Sequence, residues 1–246
     1  DGIERFFDDN GNVLKSNIYK NGILLATGIV DKSGMKQGNW IEYYETGEKR
    51  SEGTYHNDNK IGKWKYYYKN NSLLQEGEYN NDGKFEGKWV WYYENGKILR
   101  TENYHNGYEE GESIEYDTIG NVVLKGNYTK GLKNGEWFYQ LGNYIEKGKY
   151  VDGQKDSIWT TYYKNTEKIR AIGEYSYGDP IGKHICYDEN GNVIEEGFYE
   201  SGKKNGLWKK YDNDTKLKVT IYYIDDEEKK IDNQDIEEKL KKIINK

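Results

Sequence analysis

The chain has 246 residues, 43 acidic and 37 basic, and its net charge of −6 is spread along it without blocks. Its four arginines (Arg5, Arg50, Arg100, Arg170) form no cationic run, which disfavours nucleic acid as a partner, because phosphate recognition needs a clustered basic face. A single cysteine, Cys186, excludes an internal disulfide, and no apolar run approaches the ~20 residues of a membrane-spanning helix.

Residues 1–20 read as a degenerate opening hairpin. Arg5-Phe6-Phe7 is a short strand, Asp8 to Gly11 its turn, and Val13 to Tyr19 the returning strand. A terminal repeat is expected to be atypical, since it must end a sheet without sticking to another chain. Tyr19 to Val30 joins the pattern: the spacing from Tyr19 to Gly28 equals that from Tyr44 to Gly53.

From Gly38 onward a Gly-x-Trp signature recurs, starting at Gly38, Gly62, Gly87, Gly111, Gly135, Ser157, Gly182 and Gly206, in steps of 22 to 25 residues. A Tyr usually follows three residues after the Trp, as in Tyr43, Tyr67 and Tyr92. A second signature, Gly-x-Tyr, comes later in most units, as in Gly53/Tyr55, Gly77/Tyr79 and Gly197/Tyr199. A fixed period of this length marks a repeat array. Each unit holds two segments rich in Trp, Tyr, Ile and Thr, which suit a pleated, half-buried surface. Asn10-Gly11, Asn21-Gly22, Asn95-Gly96, Asn106-Gly107 and Asn190-Gly191 are read as two-residue hairpin turns. One repeat is therefore one β-hairpin.

Hydrophobic content is only 34%, but 26 Tyr and 7 Trp are present. Each such ring buries ~150 Å² or more, so the expected core is a thin aromatic layer. The strand glycine of Gly-x-Tyr has no side chain to pack, and a neighbouring ring is expected to lie across it. Alternation places Trp64, Tyr66 and Tyr68 on one face and Lys65 and Tyr67 on the other. Between Gly111 and Cys186 the repeat degrades; Pro180, the only proline, falls in a turn. Val219 to Ile224 reads as the last strand. Ile231 to Lys246 changes character: Ile236, Leu240, Ile243 and Ile244 have helical spacing, with acids early and lysines late, as suits the helix dipole.

The fold expected is all-β: an elongated, twisted antiparallel meander of about eight to nine hairpin repeats with a short C-terminal capping helix. Residues 1–225 form one array, and 226–246 an amphipathic helix packed on its end.

The Gly-x-Trp-x-x-Tyr-Tyr-x-x-Gly run of Gly87 to Gly96 and the Glu-Gly-x-Tyr run of Glu76 to Tyr79 resemble the MORN repeat, and more closely its bacterial variant in the YwqK-family antitoxin group. The resemblance covers about Tyr19 to Tyr211 and implies a repeat platform for assembly; its group label implies an antitoxin role. The departures are Ser113, Ser157 and His184 at signature positions, and Glu102 where a glycine is expected.

No catalytic, cofactor-binding or metal-binding residue is assigned, and the chain is read as a non-enzyme. His184 and Cys186 form a His-x-Cys pair without further ligands or an orienting group; His184 is read as filling a Trp slot. Asp188 to Glu196 echoes a calcium loop without its spacing and reads as a turn. The function expected is a non-catalytic scaffold for a protein partner, with an antitoxin or immunity role as one version. Tyr66, Trp91 and Tyr177 are the expected anchors, since Tyr and Trp dominate interface energies. The alternative is cell-envelope or carbohydrate binding by stacked rings. A membrane-associated platform is the third reading, which the negative charge disfavours. The start at Asp1 implies trimming or a removed signal peptide, favouring an exported or envelope protein over a cytoplasmic one.

Overall fold

A computed structural model describes residues 1–212 and 216–229. The chain divides into two compact units, Asp1–Leu132 and Lys133–Lys246. In the first unit the strands are β1 (Gly2–Phe7), β2 (Val13–Lys20), β3 (Ile23–Val30), β4 (Lys36–Tyr43), β5 (Lys49–His56), β6 (Asn59–Tyr67), β7 (Leu73–Tyr79), β8 (Phe85–Tyr92), β9 (Ile98–His105), β10 (Tyr108–Glu109), β11 (Gly111–Tyr116) and β12 (Val122–Thr129). Each of β1 to β9 pairs antiparallel with its successor, β10 and β11 share β9 as partner, and β11 pairs with β12.

The second unit holds β13 (Leu132–Leu141, entering from the last residue of the first), β14 (Tyr144–Val151), β15 (Gln154–Tyr163), β16 (Ile169–Ser176), β17 (Asp179–Tyr187), β18 (Val193–Glu200), β19 (Lys203–Tyr211), β20 (Leu217–Ile224) and β21 (Glu227–Lys229). They form an antiparallel meander in chain order.

The all-β expectation holds, but the repeat count differs. The described residues contain 21 strands and no helix. Nine hairpins account for eighteen of them; β3, β10 and β21 stand outside the hairpin frame. The capping helix is not seen. Glu227–Lys229, which the expected helical segment included, is a strand paired with β20. Asp225 and Asp226 turn into it at φ 52° and 69°. The stretch from Ile231 to Lys246, which carries the helical spacing, lies outside the described residues.

The Asn-Gly reading is right for two turns and wrong for three. Asn21-Gly22 and Asn106-Gly107 are two-residue turns with both φ angles positive, the twist-matched form for hairpins. Asn10-Gly11, Asn95-Gly96 and Asn190-Gly191 sit in longer loops where only the glycine is left-handed. In two of these three loops a polar cap stands at the loop start. The Asp8 carboxylate accepts the N–H groups of Asn10 and Asn12 at 2.9 and 2.7 Å, and Gly11 N–H donates to the Asp8 carbonyl at 3.0 Å. That bonding stabilises a tight turn followed by a glycine bulge. Asp188 does the same for Asn190 and Asn192 at 2.9 and 2.8 Å, so the calcium-like stretch spends its first carboxylate on its own turn.

The two glycines of a repeat do different work. The first, as in Gly62 at φ 62°, sets a left-handed kink with open space around it. Ser157 holds the equivalent place at φ 60°, which explains why that departure from the motif is tolerated. The second glycine lies under an indole. A Cβ at Gly53 would come closer than 3.0 Å to Cγ, Cδ2 and Cε2 of Trp64, and Gly28, Gly77, Gly148 and Gly197 stand likewise under Trp40, Trp89, Trp159 and Trp208. Each ring therefore covers the glycine of the preceding strand, as the sequence reading expected. Each of these indole N–H groups also donates to a backbone carbonyl at 3.0–3.1 Å. Trp40, Trp64 and Trp89, with Ala26, Val30 and Tyr55, are the buried core of the first unit, and Trp137, Trp159 and Trp208 that of the second.

Candidate interaction surface

The face that carries the indoles is a column of rings. In the first unit Tyr55 meets Trp40 and Trp64 edge-on at 5.7 and 5.0 Å, and Tyr79 meets Trp64 and Trp89 at 6.1 and 5.1 Å. In the second unit Tyr150 and Tyr199 make the same edge contacts, at 5.0 Å with Trp159 and 5.1 Å with Trp208. Such pairs add ~0.5–1.5 kcal/mol beyond area burial.

A lysine row on this face was missed in the sequence. Lys36, Lys60, Lys133, Lys155 and Lys204 place their ammonium groups 3.9–4.7 Å from the centroids of Trp40, Trp64, Trp137, Trp159 and Trp208. A cation over an indole face is attracted by the ring quadrupole. The signal was present: each lysine stands two residues before the first residue of its Gly-x-Trp signature. Phe85 takes the place once and stacks on Trp89 at 3.8 Å.

Acidic groups complete the column. Glu42 is buried and accepts from Ser51 Oγ at 2.7 Å, Arg50 Nη2 at 3.0 Å and Tyr55 Oη at 3.1 Å. Burial pushes its carboxyl up, but the hydrogen bonds from Ser51 and Arg50 and the charges of Lys36 and Arg50 win and bring it down to about 2. A carboxyl held below its unfolded value stabilises the fold fully above that value, and the contribution fades as pH falls towards the folded one. Between about pH 5 and pH 2 the first unit is therefore expected to lose on the order of 3 kcal/mol from this group. Denaturant midpoints measured across that window are expected to fall less steeply for Glu42→Gln; identical slopes would remove Glu42 from the acid response.

The three expected anchors are placed very differently. Tyr66 is half-buried: its hydroxyl shares a 2.7 Å hydrogen bond with Tyr79 and accepts from Lys60 Nζ at 2.8 Å. Burial first, and the Tyr79 bond next, push its phenol far above the usual range. Trp91 sits in the corresponding position two strands on, with the Arg100 guanidinium over its ring at 4.2 Å. Both rings belong to the column of the first unit. Tyr177 belongs to the second unit and is the outlier. It is 83% exposed and occupies a two-residue turn at φ 49°. Asn, Asp and Gly tolerate that angle far better than a bulky ring does.

His184 fills a Trp slot. Its ring covers Gly173 as an indole would, and Nε2 faces the Glu174 carbonyl at 3.0 Å, so that nitrogen carries the proton. Tyr175 and Tyr199 meet the ring edge-on at 5.4 and 4.7 Å. Burial, and then the charge of Glu195, push the Cys186 thiol up, away from the thiolate a nucleophile needs.

The opposite face carries tyrosines tied to acids. Tyr67 donates to Glu52, Tyr92 to Glu76 at 2.8 Å, and Tyr211 to Glu196 at 2.8 Å. At the strand ends, Tyr44, Tyr68 and Tyr93 donate to the carbonyls of Tyr67, Tyr92 and Tyr116 in the next hairpin at 2.7–2.8 Å. These rungs join neighbours only, as expected of a repeat array.

Five segments, residues 1–21, 36–57, 60–81, 85–106 and 180–203, match the MORN repeat variant family model. They take in a little under half of the chain, and each spans one of the hairpins described above. A search of curated proteins finds no match. Among solved structures, a chain of the Tc holotoxin pore of Photorhabdus luminescens aligns at 13% identity with a TM-score of 0.20. The alignment covers 86% of this chain but only 13% of that one. At that score the likeness carries no argument about this protein.

Proposed function

We propose that this chain, whose matched hairpins are MORN repeat variants, is a non-catalytic platform that docks a protein partner. MORN repeats in general are interaction modules. The observation that carries the reading here is Tyr177, a large ring that stays exposed at a backbone angle costing about 1–2 kcal/mol. Strain kept at a surface position points to use there. An exposed aromatic is also the usual anchor of an interface. Neutralisation of a basic toxin is one version of this function, consistent with the net charge of −6.

Crosslinking the intact protein in its native cells, followed by mass spectrometry, tests the proposal. One stoichiometric protein partner, captured by the native chain and lost with Tyr177→Asn, is expected. The same substitution should raise the thermal midpoint, because Asn relieves the turn. Undiminished capture by the variant would remove Tyr177 as anchor, and recovery of glycan alone would overturn the protein-docking reading in favour of envelope recognition. That second reading has one feature behind it: Tyr43, Tyr67, Tyr92 and Tyr116 recur once per hairpin at the ends of β4, β6, β8 and β11, a spacing on which successive sugars could stack.

A further inference from the structure

The lysine row divides by what each ammonium meets besides its ring. Lys36, Lys155 and Lys204 also reach a carboxylate: Glu42 at 3.5 Å, Glu146 at 2.7 Å and Glu195 at 3.7 Å. Among the described residues, Lys60 and Lys133 form no such ion pair. Each donates instead to a tyrosine hydroxyl, Tyr66 or Tyr139, at 2.8 Å. That hydroxyl is bonded in turn to a second one, Tyr79 at 2.7 Å or Tyr150 at 3.4 Å. The same Lys–Tyr–Tyr relay therefore occurs in each unit, over Trp64 in the first and over Trp137 in the second. A phenol accepts the N–H bond but brings no negative charge, so nothing offsets the cost of burying the cation. Burial pushes the Lys60 amine down against the opposing charge of Glu42; burial, and then the charge of Lys155, push Lys133 down. The indole faces favour the ammonium, but all five lysines share that attraction. What separates the two from the three is the missing carboxylate.

We propose that Lys60 and Lys133 are sites of covalent acylation by small acyl phosphates. The uncharged amine is the nucleophile. Donating one N–H to the tyrosine leaves its lone pair free. The nitrogen attacks the acyl carbon and the C–N bond forms. The C–O bond to phosphate breaks, inorganic phosphate leaves, and the surplus amine proton passes to water. Both lysines are half-buried rather than enclosed, which admits a reagent as small as acetyl phosphate. The product is a neutral amide, so the cation over the indole is lost and the packing of that hairpin weakens. The proposal does not rest on the docking function above.

The test is timed acetylation of the folded full chain with acetyl phosphate at neutral pH, followed by proteolysis and mass spectrometry of each lysine. Lys60 and Lys133 are expected to react about tenfold faster than Lys36, Lys155 and Lys204, the ratio that one unit of difference in pKa gives. Those three are the matched controls, being half-buried over the same kind of ring. Glu146→Gln removes the carboxylate from Lys155 and should bring its rate up towards that of Lys133. Glu195→Gln should do the same for Lys204. In the chain unfolded by guanidinium all five should react alike. Equal rates for the five in the folded chain would overturn the proposal, as would paired lysines that stay slow in both variants. The same preference in the unfolded chain would also overturn it, assigning the difference to local sequence.

Discussion

Gly53→Ala is expected to destabilise the first unit by about 3 kcal/mol or more, the upper end of what overpacking a core costs. The added methyl would overlap the Trp64 ring, and the ring has nowhere to retreat. Trp64 is 0% exposed; its N–H is held by the Thr54 carbonyl at 3.1 Å, Tyr55 abuts it at 5.0 Å, and Lys60 stands over it at 4.3 Å. Gly62→Ala in the same repeat should cost only about 1–2 kcal/mol, because space is open there and the penalty is purely conformational. Gly62→Asn should recover part of that loss, whereas no side chain recovers Gly53. Denaturation of the three single variants, followed by far-ultraviolet circular dichroism, separates the mechanisms. Equal costs at both glycines would show that the indole does not press on Gly53.

The second large effect is a coupling. Glu102 stands where a ring-covered glycine is expected, in register with Trp89, and Ser113 stands where the covering indole would be. Both are buried, at 6% and 2% exposure. The Glu102 carboxylate accepts from Tyr104 Oη at 2.6 Å and lies 3.3 Å from Arg100 and 3.4 Å from Ser113 Oγ. The acid and its partners therefore fill the space that glycine and tryptophan share elsewhere. Glu102→Gly alone should cost about 2–4 kcal/mol, leaving a void and unpaired buried groups. Ser113→Trp alone should cost about as much, since its ring meets the carboxylate. The double variant rebuilds the standard lock and is expected to recover about 3 kcal/mol of the summed losses, the upper limit of coupling for touching pairs. Additive losses would mean that the two departures are unrelated.

Several features were legible because they depend on local chemistry that repeats. The hairpin period, the Trp positions and the ring lying over the strand glycine follow from alternation and from what a bare backbone needs. His184 was readable as a substitute ring because its repeat phase says so. Other features were not. Asn-Gly looks the same in a two-residue turn and in a capped loop, and the difference is made by Asp8 or Asp188 reaching over its own loop. Glu102 and Ser113 read as two separate lapses, since they lie eleven residues apart on strands β9 and β11. Tyr66 and Trp91 could be assigned a face by strand parity, but not the Lys60, Tyr79 and Arg100 side chains that lie against them.

Strand order, face assignment and the aromatic nature of the core were determined by the sequence alone, because a period-two pattern repeated every 24 or so residues admits one pairing of neighbours. The tertiary structure decided which rings are enclosed and which stay exposed. Lys60 and Tyr79 enclose Tyr66, Arg100 covers Trp91, and among the described residues nothing comparable shields Tyr177 at its turn. Exposure is a property of side chains brought in from other strands, and no single strand encodes it.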